Sequence, residues 1–337
     1  MALLRRLVVA LLLVAVSLPV TAGVAAAHSG GLEAQPDLPR IVGVEPPVPG
    51  LVAAVVEGGA RLSLTNGTGL PVEVVPVGVR GEEPVVAPGE SAHWVDDRIR
   101  GEVDDRIRGG IDDRTDGAVT SWTIPLRVGD REVALRGETT WPPPPATAAW
   151  WALTVALAVG AAAVGLLTVR RRPETPRDLR SRRGVGAAAL GVAGLTVLSL
   201  GAHAVHVLGS ASVPVGLPYW PTVLGTAGIG LAAWVAGLVG VALIPRAPSW
   251  GLLACALAGA VLALVTALDT GSFANAVLPY AWSPTLDRVS TAITVGIGAG
   301  LFLTGFAVLR AMTPATTDEE LAEWEAPARD TIDEDAR

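Results

Sequence analysis

From Ala148 onward the chain is organised by apolar runs longer than a water-soluble core of this size uses. They are approximately Ala148 to Val169, Gly184 to Leu208, Thr222 to Ile244, Trp250 to Leu268 and Val289 to Leu309. Each is near the roughly 20 residues a helix needs to cross a bilayer, and in lipid a helix satisfies its own backbone hydrogen bonds. The runs predict an all-α transmembrane bundle of five helices over residues 146–312. Trp141, Trp150, Trp151, Tyr219, Trp220, Trp250, Tyr280 and Trp282 lie near their ends, as an aromatic belt requires. Small residues in the runs, such as Gly225, Gly228, Gly230, Gly237, Gly240, Gly296, Gly298 and Gly300, favour close helix packing.

The segment before the runs has a different pattern. Residues 1–27 pass from a basic start (Arg5, Arg6) through Leu7 to Val16 to Ala25, Ala26 and Ala27, the layout of a secretory signal peptide. Cleavage after Ala27 makes His28 the mature N-terminus; Ala22 offers an earlier site. Residues 28–145 then alternate short β-rich runs with turn residues. Leu51 to Val56 and Ala60 to Thr65 flank Glu57-Gly58-Gly59, Pro71 to Val77 follows Asn66-Gly67-Thr68-Gly69, and Trp122 to Val128 and Glu132 to Leu135 flank Gly129-Asp130. Six or seven such strands predict an extracytoplasmic all-β domain, an immunoglobulin-like sandwich, with a small open barrel as the alternative. Cys255 is the only cysteine and lies in an apolar run, so this domain folds without disulfides. Asn66-Gly67-Thr68 matches a glycosylation acceptor but reads better as a turn.

Arginine distribution sets the orientation, because cations resist translocation. Arg170, Arg171, Arg172, Arg177, Arg180, Arg182 and Arg183 follow the first run, Ser210 to Pro221 is uncharged, and Arg288 stands alone in the last connection. The β-domain is thereby expected outside the cell and the acidic tail, residues 313–337, in the cytoplasm, disordered. With nineteen acidic and eleven basic residues between His28 and Ala149, the exported surface disfavours nucleic acid and favours an envelope protein or a small cationic ligand.

An internal repeat of eight residues runs Val95-Asp96-Asp97-Arg98-Ile99-Arg100-Gly101, Val103 to Gly109, and Ile111-Asp112-Asp113-Arg114. Arginine after each acidic pair disfavours calcium, and the repeat reads as a solvated loop held by internal ion pairs.

Ionisable groups within spans are costly and so mark candidate sites. His203 and His206 are three apart, hence on one helix face, and Asp269 and Asp287 border the following spans on the same side. Together they suggest a metal or proton site suited to copper or zinc; the alternative is interfacial residues that reach toward water. His28, with imidazole and free amine on one residue, can chelate copper, and His93 lies near Glu90, Asp96 and Asp97. No nucleophile elbow, P-loop, zinc-protease or Cys-x-x-Cys motif occurs, so no enzymatic activity is expected.

The strings Ile41-Val42-Gly43-Val44-Glu45-Pro46, Gly58-Gly59-Ala60-Arg61-Leu62, Leu64-Thr65-Asn66, Trp122-Thr123-Ile124-Pro125-Leu126 and Trp141-Pro142-Pro143-Pro144, followed by paired tryptophans and five spans, resemble a family of uncharacterised actinobacterial exported membrane proteins. That resemblance implies the same order of domains and no assigned activity. His28 and the domain order also resemble, more loosely, the copper-resistance proteins of the C and D families. The sequence thus predicts a multi-pass protein of the cytoplasmic membrane that displays a β-sandwich to bind a ligand or partner in the envelope. Its alternative is a copper(II)-binding or copper-transport protein using His28.

Overall fold

The computed structural model describes residues 32–75, 85–100, 119–170 and 179–312. The signal-peptide reading, His28, the second and third repeat copies, most of the arginine-rich loop and the acidic tail lie outside them.

Among the described residues eight strands build the β-domain: β1 (Leu38–Glu45), β2 (Leu51–Val56), β3 (Arg61–Asn66), β4 (Val72–Val74), β5 (Val85–Val86), β6 (Ser91–Trp94), β7 (Val119–Val128) and β8 (Arg131–Thr140). They form two antiparallel sheets, ordered β1-β8-β7-β4-β5 and β2-β3-β6. Alternating side chains from both meet in one core of Leu62, Leu64, Val72, Val74, Ile124, Leu126 and Leu135, all fully buried. The β7–β8 ladder runs unbroken from Val128↔Arg131 to Val119↔Thr140 around the expected turn, where Gly129 takes φ +58. β8 extends past Leu135 because Gly137 sits opposite Trp122, whose indole fills the space a side chain would need. β1 contains Pro39, which the edge of a sheet tolerates.

The first repeat copy differs from the solvated loop expected. Asp96 and Ile99 are buried. Arg98 donates from Nε and Nη2 to the two Asp96 carboxylate oxygens, at 2.7 and 2.6 Å, and from Nη1 to the Val75 carbonyl at 3.1 Å. The Ile99 carbonyl accepts from the Thr139 hydroxyl, which itself accepts from the Trp122 indole. The ion pair is internal as expected, but it neutralises the acid so that Ile99 can enter the core.

The helical part comprises α1 (Thr147–Arg170), α2 (Leu179–Ala211), α3 (Tyr219–Ala227), α4 (Gly230–Leu243), α5 (Pro248–Ala267) and α6 (Pro284–Met312). Among the described residues four helices, α1, α2, α5 and α6, are long and apolar enough to cross a membrane, consistent with a multi-pass membrane protein. The expected third span, Thr222 to Ile244, is not one straight helix: α3 and α4 meet at a 71° bend, and they make a fifth span only if the bent pair counts as one. The break falls at Gly228, whose φ of +47 and ψ of −128 no helix contains. The 14 residues of α4 span about 21 Å, short of the roughly 30 Å hydrocarbon layer. α6 is the central helix, packed against α1, α2 and α5. Its approach to α5 depends on reciprocal glycines: a Cβ at Gly259 would come within 2.8 Å of the Gly298 carbonyl oxygen.

The β-domain is seated on one end of this bundle. Gln35 and Val277 exchange backbone hydrogen bonds of 2.8 and 3.0 Å. The β2–β3 turn, Glu57–Gly59, presses Gly58 against the backbone of Leu278 and Pro279, while the buried Glu57 accepts the Val215 amide at 2.9 Å and pairs with Arg61 at 3.3 Å. Glu57 holds φ +57, an uncommon conformation for a residue with a side chain, fixed by these contacts.

Candidate functional site

Beneath this seat three of the residues singled out in the sequence converge. α2 carries His206 three residues from its partner His203; the 3-10 turn after α5, Leu268–Phe273, supplies Asp269; and the first turn of α6 supplies Asp287. The buried His206 ring is held at both edges, with Nδ1 2.7 Å from Asp287 Oδ1 and Nε2 3.3 Å from Asp269 Oδ2. Tyr280 stacks on the ring at 6.3 Å and 14° and donates its hydroxyl to the Val205 carbonyl at 3.2 Å. Burial, with the Asp287 carboxylate, pushes the Tyr280 phenol up to about 12, so it stays a donor. A side chain at Gly209 would overlap the Tyr280 ring, so the glycine admits the stack.

A neutral imidazole has one N–H and one bare nitrogen, and a bare nitrogen facing a carboxylate is two acceptors in contact. An imidazolium, or a neutral imidazole with one protonated carboxyl, would give both flanking carboxylates a donor.

His203 stands apart from this arrangement. Its Nδ1 accepts from the Trp234 indole N–H at 3.0 Å, and its ring packs on Gly230. The indole is a donor only, so this nitrogen carries no proton. His93 is exposed on β6 opposite Ser63, and its neighbour Asp96 is committed to Arg98 and Trp94. As placed, His206 faces a carboxylate at each ring nitrogen, and among the described residues no group of three His, Cys, Asp or Glu side chains is arranged to hold a metal ion.

Sequence reasoning found His206, Asp269 and Asp287 but missed the residues that frame them. Arg288, read as a loop cation, is buried and donates to the carbonyls of Ser272 and Asn275, both at 2.8 Å, fixing the turn that carries Asp269. Phe273, fully buried, anchors the same turn against Trp150 and Trp151. Tyr280 and Trp234 carry no local signal beyond their aromatic character; only the helix packing brings them to the histidines. No family model, curated protein or solved structure matches this chain.

Proposed function

We propose that this chain is a non-enzymatic, multi-pass protein of the cytoplasmic membrane with five spans, the bent pair being the third. Its immunoglobulin-like sandwich faces outside and binds a ligand or protein partner in the cell envelope. The observation that carries the reading is the rim at the end of the β-domain away from the bundle. There four loops are tied to one another: Gly67 N–H donates to the Gly50 carbonyl at 2.7 Å, Gly129 N–H to Pro71 at 3.1 Å, Gly89 N–H to Asn66 at 2.7 Å and Asn66 N–H to Glu90 at 2.9 Å. A rim cross-linked in this way is ordered before it meets a partner, which lowers the entropic cost of binding, and sandwich domains commonly use such end loops for recognition. The seat on the bundle supports a fixed direction of the rim relative to the helices. The acidic balance of the segment supports a cationic ligand or partner surface, and the arginines after the first run support the orientation. The alternative, a copper(II)-binding or copper-transport protein, uses His28.

A photocrosslinking amino acid in place of Leu70 or Asp130, both exposed at the rim, is expected to give a discrete adduct of higher mass in living cells. Thr123, exposed on the five-stranded face, is the control and is expected to give none. No adduct at the rim, or equal adducts at all three positions, contradicts the proposal.

A further inference from the structure

Buried hydroxyls in a membrane helix normally return to the carbonyl one turn back, as Thr196, Ser290, Thr294 and Thr304 do here. Ser199, Thr266 and Thr291 do not: they are 1%, 1% and 0% exposed, and their oxygens have no hydrogen-bond partner. Each lies one or two helical turns deeper than a residue of the site. Ser199 precedes His206 by seven, Thr266 precedes Asp269 by three, and Thr291 follows Asp287 by four. That spacing puts each hydroxyl on the same helix face as the residue it follows inward. The three helices concerned, α2, α5 and α6, pack pairwise against one another. A buried polar group without a protein partner is the usual location of ordered water.

We propose that the seam between α2, α5 and α6 is a proton-binding site served by water: Asp269, His206 and Asp287 share one proton, and Ser199, Thr266 and Thr291 hold the waters that continue the site inward. In loading, an O–H bond of hydronium breaks, leaving water, as the proton joins a bare nitrogen of His206 or the carboxylate facing it; unloading returns the proton to water as hydronium. The groups around His206 are Asp287 from α6, Asp269 from the turn after α5, His203 one turn away on α2 and Tyr280 from the loop before α6, with Arg288 next to Asp287 on α6. Arg288 donates to the Ser272 and Asn275 carbonyls rather than to a carboxylate of the cluster. The site is independent of what the β-domain binds.

The test uses the full chain in lipid nanodiscs with nitrogen-labelled histidine. Near neutral pH, an imidazole signal with protons on both nitrogens is expected that is absent in His206→Gln. If the proton rests on a carboxyl instead, the infrared band of a protonated carboxyl is expected, lost in the near-isosteric Asp287→Asn or Asp269→Asn. Either result supports the shared proton. A His206 with one bare nitrogen and no protonated carboxyl, read on the unaltered protein and therefore independent of whether the variants fold, overturns it. For the water, Ser199→Ala, Thr266→Val and Thr291→Val together are expected to slow deuterium exchange of the His206 N–H about tenfold, with the proton count unchanged. Unaltered exchange overturns that part.

Discussion

Replacing His206 by leucine is expected to destabilise the helical bundle by about 3–5 kcal/mol, the usual cost of removing one partner from a buried ionic group. The substitution removes the imidazole that lies between Asp269 and Asp287, and takes from each carboxylate its contact with the ring. The combined variant His206→Leu, Asp269→Leu and Asp287→Leu is expected to recover most of the loss, because an apolar cluster of similar volume needs no desolvation. Recovery stops short of complete, since Asp287 in the first turn of α6 also favours the helix dipole by about 0.3–1 kcal/mol. Denaturation of the full chain in mild detergent reads both. A single variant as stable as the starting protein would contradict the buried, doubly held imidazole.

The histidine spacing in α2 and the carboxylates bordering the last two spans were enough to bring three of the four residues to one place, because helical periodicity and a shared side of the membrane are both local signals. Their division of labour was not legible. Nothing around His203 in sequence indicates Trp234, thirty-one positions away, whose indole takes its Nδ1. Arg288 beside Asp287 reads as an ordinary loop charge until the turn at Leu268–Phe273 is seen to need a donor for its carbonyls. The three unpartnered hydroxyls look in sequence like Thr196 or Thr294, which bond within their own helix.

Asn66→Ala is expected to cost the β-domain about 3 kcal/mol, from several buried hydrogen bonds that net roughly 1 kcal/mol each or leave a partner unsatisfied. The Asn66 side chain is fully buried. Its amide donates to the Leu70 and Val86 carbonyls, both at 2.8 Å, and its oxygen accepts from the Thr68 amide and hydroxyl at 3.0 and 2.7 Å. Asn66→Asp is expected to cost at least as much despite equal size, because a carboxylate would face two carbonyl oxygens. Hydrogen exchange on the full chain is the measurement, and protection of β3, β4 and β6 should fall about a hundredfold. Undiminished protection in both variants would show that Asn66 does not hold the rim.

The same residue shows where the sequence was sufficient for the fold. Asn66-Gly67-Thr68 was legible as a turn because asparagine bonds its own following backbone, and the β7–β8 hairpin because alternation brackets Gly129-Asp130. β1 was obscured by Pro39 and Gly43, which are acceptable only because the strand closes an edge. The bend at Gly228 was hidden for the opposite reason. An apolar run reads as continuous whichever φ one glycine takes, and only the packing of Gly230 under His203 and Gly240 against α5 reveals that α3 and α4 need separate directions.

The central claim is that the β-domain is seated on the helical bundle, directly above the His206 cluster. Gln35→Cys with Val277→Cys, in a chain whose native Cys255 is replaced by alanine, tests it most directly. These residues face each other across an antiparallel bridge whose two hydrogen bonds place their Cα atoms about 5.5 Å apart, within disulfide range. The account predicts a rapid intramolecular disulfide in intact membranes, with none formed between Asp130→Cys at the far rim and the same Val277→Cys. Two free, accessible thiols at 35 and 277 under oxidising conditions would contradict it.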